Sequence, residues 1–576
     1  MGAKMSESTA GSREISPDIP LSGASRTRKL LLSAPIAIIL LAAALRLFFI
    51  GRFQVWLDEA YCFAVAKKTI GRIIADLAYD NGPPLYYICL HYWMLIFGDS
   101  PLALRSLSAL FSTGAVAVIA FWDAPWFPRT ARLLAAFALA ITPVAIYYGQ
   151  EARMYSPVVF FVLLSMVFLE KGLRLGGLRN WALFSLCTAL GLYTSYIAIF
   201  LVPVGYIVLL MKCLSSKRSV VFRRFLSLLA AHVAAAALFL PWLPVFLKQP
   251  SDKAVQWIGP VWENSDKLGL PLKSLTIMTT GGAYYPVYLR NLYQGPDRTQ
   301  VTRDAIDSGR TVGKFAALLS SIPASLPYSF MIITTLALFA AAFSRRSDFP
   351  ARIFLASWVL LSFLVPLSLS FIRPVFILGR YEITGVPAVA ILTGIGLSRL
   401  RASARGVAVG LLCALFLYSY GYMFDWPAAA PLVEGGAKLA AVASKGDVVL
   451  CEGFDYAQMY YHVGGKRDDL AFVSIPRDVL LHAAWIDYDK YLQPGWEIPR
   501  AILWEEAELA LAEAAAKTPP GHALIILRPT GSVPSWLAAI DQTLRPAVEA
   551  AVNSGAFQPD MALSNPQEGI IVLRRQ

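Results

Sequence analysis

The chain has 576 residues, 57% of them hydrophobic and 15% charged, and a mean hydropathy of +0.55. That excess of apolar residues excludes an ordinary soluble protein and predicts an integral membrane protein. The formal net charge of +13 does not point to nucleic acid, because the basic residues cluster in short loops between apolar runs and form no single basic and aromatic face.

Residues 1–27 are rich in Ser, Gly, Pro and charge, which predicts a disordered cytoplasmic tail. Arg26, Arg28 and Lys29 then precede an apolar run, Leu30 to Ile50. The run is too long for a signal-peptide core and no small-residue cleavage site follows, so it reads as an uncleaved first span with the N-terminus in the cytoplasm. Further continuous runs lie near 101–122, 132–149, 154–170, 181–195, 197–211, 225–246, 325–343, 352–371, 381–398 and 406–424. They do not alternate in polarity as barrel strands do. The expected fold is a polytopic α-helical membrane protein with about 11 transmembrane helices, in the range of roughly 10 to 13.

Counted from a cytoplasmic start, every expected inner loop is basic, as the positive-inside rule requires. These loops carry Arg129 and Arg132, then Lys171, Arg174 and Arg179, then Lys212, Lys217, Arg218, Arg223 and Arg224. Arg345, Arg346 and Arg352 follow, and after them Arg399, Arg401 and Arg405. The expected outer segments are 51–100, 147–153, 248–321 and 373–381, and the first of them contains an amphipathic stretch, Tyr61 to Leu77, suited to interfacial helices.

Residues 28–426 therefore form the expected membrane domain, and 427–576 read as a soluble α/β domain on the outer, periplasmic side. Strands are expected at Asp447 to Leu450, Ala471 to Val473, Ala523 to Leu527 and Ile570 to Leu573, with a helix over Glu505 to Lys517. No glycine-rich phosphate loop opens these strands, so a nucleotide role is not expected. The scattered cysteines read as small core hydrophobes.

The chemistry-bearing residues lie in the outer segments. Asp58 and Glu59 are adjacent carboxylates just beyond the first span, costly at a membrane boundary without a task or a partner. They are followed by Asn81-Gly82-Pro83-Pro84-Leu85-Tyr86-Tyr87, by His91, and by Arg105 at the start of the second span. A later turn adds Gln150-Glu151-Ala152-Arg153-Met154-Tyr155, and another adds Arg380-Tyr381. Carboxylates and guanidinium groups at one membrane face suit acid/base chemistry on an anionic, lipid-anchored substrate. Each also has a plainer reading: Asp58 and Glu59 as helix caps, His91 as a packed histidine, Glu151 with Arg153 as an ion pair, Arg380 as an interfacial anchor. Hard oxygen ligands such as Asp58, Glu59 and Glu151 suit Mg or Mn, although no dedicated metal motif is visible.

In combination and order, Asp58-Glu59-Ala60-Tyr61, Gly82-Pro83-Pro84-Leu85-Tyr86-Tyr87 with Phe97-Gly98-Asp99-Ser100 and Leu104-Arg105, and Gln150 to Tyr155 resemble the motifs of the protein O-mannosyltransferase-like glycosyltransferases, family 39 and its bacterial relatives. The resemblance covers about residues 28–424. It implies a GT-C fold and transfer of a sugar from a polyprenyl-phosphate sugar donor at the outer face of the bacterial inner membrane, with inversion. The acceptor would be an envelope glycan, a glycolipid or a protein. The resemblance makes Asp58 the catalytic base, with Glu59 positioning it or binding the acceptor. Arg153, Arg105 and Arg380 would hold the donor phosphate, and Glu151, Gln150, Tyr381, Tyr86 and His91 would complete the substrate site. Competing classes are a lipid or glycan transporter or flippase, against which stands the lack of corresponding halves, and a non-catalytic scaffold with a periplasmic binding domain.

Overall fold

The computed structural model describes residues 22–51, 55–78, 80–213, 217–249, 258–280, 333–343, 349–424, 439–475, 500–527, 535–564 and 570–576, save for 264, 337, 341, 464–466 and 468. Most of the expected span 325–343, most of the expected outer loop 248–321 and the expected domain boundary near 427 lie outside the described residues.

The chain begins with α1 (Ser22–Leu47), which crosses the expected boundary at residue 27 without a break. A set of shorter helices follows: α2 (Leu57–Ala66), α3 (Ile70–Leu77) and α4 (Leu85–Phe97). Two of these, α2 and α3, fall where the amphipathic stretch predicts helix. The bundle continues through α5 (Pro101–Phe121), α6 (Arg129–Ile141), α7 (Pro143–Gly149), α8 (Tyr155–Arg174) and α9 (Leu178–Thr194). A 3-10 turn at Tyr196–Leu201 leads into α10 (Pro203–Lys212), α11 (Arg218–Phe239) and the short α12 (Leu243–Phe246). After α13 (Ile258–Glu263) and α14 (Leu270–Thr280) come α15 (Phe349–Ser370), α16 (Val386–Arg399) and α17 (Ala402–Phe424).

Among the described residues four helices are long and apolar enough to cross a membrane, α5, α8, α11 and most of α15, and the pair α6 and α7 makes a fifth if counted as one span bent by 58°. The expected spans 30–50, 197–211 and 406–424 correspond to shorter apolar helices. Proline accounts for the bend at 132–149. Pro143 has no N–H to give the Leu139 carbonyl, and its ring blocks the preceding turn. The freed carbonyls are retaken by side chains from other helices. Arg46 of α1, fully buried, donates to the Leu139 and Ala140 carbonyls at 3.2 and 2.8 Å and to Ser112 Oγ at 2.7 Å. Tyr420 of α17 donates to the Ile141 carbonyl. An arginine in an apolar segment is thus stabilised by backbone oxygens that a continuous helix would not offer.

The C-terminal part contains a five-stranded sheet in the order β2-β1-β3-β5-β4. Its strands are β1 (Val448–Glu452), β2 (Ala471–Ile475), β3 (Ala523–Leu527), β4 (Phe557–Pro559) and β5 (Ile570–Arg575). The four expected strands are present, and β4 is additional. Strands β1, β2 and β3 run parallel, while β5 pairs antiparallel with β3 and β4. Helices α18 (Gly453–His462), α19 (Arg500–Lys517) and α20 (Ser535–Asn553) accompany them, and α19 contains the expected helix. Alternation along β1 sends Val448 and Leu450 into the core under α19 and α20, and Val449 and Cys451 into a second core with Met459 and Val463.

Candidate active site

Helix α2 opens the site. Its first turn carries Asp58 and Glu59, and the two side chains have different surroundings although they are neighbours. Glu59 is almost fully buried and receives two bonds from Arg105, Nε to Oε1 at 2.7 Å and a terminal nitrogen to Oε2 at 2.6 Å. The Ala152 N–H adds a third bond to Oε1 at 2.8 Å, and the Trp56 N–H approaches Oε2 at 3.4 Å, as an acid at the third helical position does in a capped helix. One carboxylate thereby ties α2 to α5 and to the turn at 150–154. Arg105 also donates to the Ile50 carbonyl at 2.8 Å, so this guanidinium is engaged by the protein itself.

Asp58 projects elsewhere. Its Oδ2 faces two guanidinium groups, Arg380 at 3.4 Å and Arg153 at 3.6 Å. All three side chains are buried, with residues 58, 153 and 380 each no more than 8% exposed. Arg153 also approaches the Asp58 carbonyl at 3.4 Å and Cys62 Sγ, one turn further along α2, at 3.5 Å. Arg380 lies with its guanidinium carbon 5.9 Å from the centre of the Trp56 ring, and Arg153 holds the same distance from the Tyr155 ring, each within cation–π range. These contacts to Asp58 are longer than the usual 2.7–2.9 Å of charge-assisted hydrogen bonds. The two arginines are electrostatic partners of the carboxylate.

The loop bearing Arg380 is placed by its neighbours. Gly379 adopts a positive φ of 85°, its N–H donates to Glu382 Oε1 at 2.8 Å, and its carbonyl accepts from the Tyr148 hydroxyl at 2.6 Å. A side chain at 379 would be strained in that backbone conformation. Tyr381 is half-buried against the bundle core, its ring 6.4 Å from that of Phe376.

Glu151 is the third carboxylate. It is buried, and its Oε2 has no hydrogen-bond partner among the described residues. Burial pushes its carboxyl up to about 8, against the opposing pull of Arg380 and Arg153. Gln150 donates to the Leu45 and Phe48 carbonyls at 3.1 and 2.8 Å, fixing the turn to the end of α1.

The structure therefore brings together Asp58, Glu59, Arg105, Gln150, Glu151, Arg153 and Arg380, from four separate stretches of chain. Tyr86 lies in the aromatic cluster under α2, edge-on to Tyr87. His91 is not part of the group. Its Nδ1 sits 2.7 Å from the Ala66 carbonyl, at the opposite end of α2 from Asp58, about 12 Å along the helix axis. Trp56, Tyr148 and Glu382 support the site and had no signal beyond adjacency to its motifs. Arg46 did have one, being a charge inside an apolar run.

Among the described residues no group of three or more His, Cys, Asp or Glu side chains could hold a metal ion. The chemistry of the donor set explains this. Glu59 is occupied by Arg105 and Ala152, and Asp58 faces two cations, so the three carboxylates do not offer a divalent ion a shared face.

Residues 81–244 match a family model described as dolichyl-phosphate-mannose-protein mannosyltransferase. The putative mannosyltransferase YkcB of Bacillus subtilis (strain 168) is 25% identical over 243 residues, covering 40% of this chain, and the match spans 33% of the length of that relative. Two crystal structures of ArnT from Cupriavidus metallidurans share the fold, each aligned over 96% of this chain and 98% of theirs at 12% identity. The TM-scores are 0.55 for the form bound to undecaprenyl phosphate and 0.53 for the apo form. In sequence over residues 81–244, and in fold over nearly its whole length, the chain is similar to the protein O-mannosyltransferase-like glycosyltransferases of the GT-C type.

Proposed function

We propose that the protein is a membrane glycosyltransferase that moves a sugar from a polyprenyl-phosphate sugar to a hydroxyl of an envelope glycan, glycolipid or protein. The site would face the periplasm from the inner membrane, with the N-terminus cytoplasmic and the sheet domain outside, as the basic inner loops favour. The observation that carries this reading is the buried Asp58 carboxylate held between two guanidinium groups at 3.4 and 3.6 Å.

Such an arrangement couples the two halves of a sugar transfer. The acceptor oxygen attacks the anomeric carbon while its proton passes to Asp58. The bond between that carbon and the phosphate oxygen breaks, and its electron pair leaves with the polyprenyl phosphate, which gains one negative charge. Protonated Asp58 no longer attracts Arg153 and Arg380, so both become available to the phosphate as its charge develops. A single displacement with the base on the acceptor side inverts the anomeric configuration. Glu59 and Arg105 act as a positioning pair for α2, and Glu151 lies against the same cations.

Support comes from the family model over residues 81–244 and from the bound undecaprenyl phosphate of the ArnT homologue in fold. Mannose, the sugar named for the matching family and for the Bacillus relative, is the first donor sugar to test. The test is a mass measurement of lipid-linked sugars and envelope glycans in cells with and without the protein. Loss of one sugar residue from one glycan, with build-up of its polyprenyl-phosphate donor, is the expected result; unchanged glycans and donors would refute it.

A further inference from the structure

Helix α2 is held from two sides. Successive residues of a helix turn by about 100°, so Asp58 and Cys62 share the face that meets Arg153, while Phe63 and Lys67 lie on the opposite face. That opposite face is covered by the sheet domain. The Phe63 ring stands edge-on to Tyr461 at 5.0 Å and tilted to Tyr460 at 6.0 Å. Lys67 Nζ lies 5.9 Å from the Phe63 ring centre and 5.8 Å from that of Tyr460.

Two hydrogen bonds frame this contact. Gln458 donates to the carbonyl of Val55, just before α2, at 3.4 Å, and the Tyr461 hydroxyl donates to the carbonyl of Asp99, just before α5, at 3.0 Å. Ala457 and Tyr461 are buried in the same apolar cluster as Val55, Phe63, Ala66 and Leu104. On its other side α18 is fixed to the sheet, with Met459 and Val463 in the sheet's own core and Tyr460 edge-on to Phe472 of β2 at 6.1 Å. The cluster is continuous from the sheet through α18 to the helix that carries Asp58.

From this packing we infer that α18 is a positioning element for the reacting carboxylate, and that Tyr461 and Tyr460 are positioning residues that press α2 against Arg153 and Arg380. The sheet domain then takes part in the chemistry indirectly, by setting where Asp58 sits. The contacts of Asp58 to its arginines, at 3.4 and 3.6 Å, are already at the outer limit of hydrogen-bond reach, so a shift of α2 by about 1 Å away from them removes the hydrogen-bond geometry and weakens the charge attraction. This inference rests on the reading of Asp58 as the base, and its test is chosen to separate the two.

Cys62 supplies a reporter independent of activity. It is fully buried on the Arg153 face of α2, while Cys187 is buried in the bundle on α9. In full-length protein in membranes, maleimide labelling of the two cysteines is followed by mass spectrometry for wild type, Tyr461→Ala and Tyr461→Phe. In parallel, transfer from undecaprenyl-phosphate [3H]mannose to the acceptors present in the same membranes gives kcat and KM. Tyr461→Ala is expected to speed labelling of Cys62 about tenfold, to leave Cys187 unchanged, and to lower kcat at least tenfold with little change in the donor KM; Tyr461→Phe, which keeps the ring, retains most activity. Unchanged Cys62 labelling overturns the positioning role, and equal acceleration at Cys187 overturns it too by showing general loosening. Faster Cys62 labelling with undiminished transfer overturns the link between α2 placement and chemistry, and if Asp58→Asn then also retains transfer, the fault lies in the reading of Asp58.

Discussion

Substituting Glu59 with Gln changes one oxygen to nitrogen at the most heavily bonded carboxylate in the site. The wild-type side chain meets Arg105 through two contacts of 2.7 and 2.6 Å, with side chains only 1% and 4% exposed. Removing one partner of such a pair leaves a buried charge uncompensated, which costs about 3–5 kcal/mol. Gln keeps an oxygen for the Ala152 N–H, and Arg105 keeps the Ile50 carbonyl, so the lower end of about 3 kcal/mol applies. At roughly 2–4 °C per kcal/mol in domains of moderate size, the melting temperature falls by about 6 °C or more. The assay is thermal unfolding in detergent micelles followed by tryptophan fluorescence. A second variant, Arg105→Met, behaves similarly alone, and the double variant recovers about 2 kcal/mol relative to the sum of the singles, because neither charge is then stranded. Strict additivity of the two losses would refute the pairing and return Arg105 to the phosphate.

Other outcomes follow from the same geometry. Glu151 has its carboxyl raised to about 8 by burial, so the folded chain keeps a proton that the unfolded chain releases near pH 4.3. Stability from this group therefore declines as pH rises across that window and levels off above it. The wild type loses a few kcal/mol more than Glu151→Gln between pH 5 and 8.5, and parallel melting curves for the two would contradict this. Arg46→Met strands the Leu139 and Ala140 carbonyls at the bend between α6 and α7 and lowers stability by about 3 kcal/mol, read in the same melts; an unchanged melting point would mean the bend needs no clamp. Arg380→Lys keeps a charge but loses the planar fork, and raises the donor KM about tenfold with normal membrane insertion; an unchanged KM would remove Arg380 from the phosphate.

Much of this arrangement was legible in the residues because apolar runs and strand alternation are local signals. The strands near 448, 471, 523 and 570 could be placed from composition alone. The span at 132–149 was expected as one continuous run; Pro143 is the local signal for its 58° bend, and its partner Arg46 is visible only as a charge in an apolar run. At the site, sequence could collect Asp58, Glu59, Arg105, Glu151, Arg153 and Arg380 on one membrane face, yet it could not pair them. Whether Arg105 meets Glu59 or a substrate phosphate depends on how α5 packs against α2, and His91 lies at the far end of α2 because α4 crosses it there. Nor does any local pattern announce that α18, some 400 residues after Asp58 in the chain, closes over the same helix.

The most direct test of the account is glycosyl transfer by Asp58→Asn, assayed with undecaprenyl-phosphate [3H]mannose in membranes that keep their native acceptors and where the variant is inserted and folded to wild-type level. Asn keeps the size of the side chain and can no longer take a proton, so transfer should fall by at least 10²-fold, the lower range of a general-base contribution, while the polyprenyl-phosphate sugar accumulates. Transfer at the wild-type rate would contradict the assignment of Asp58 as the base, and with it the mechanism built on its two arginines.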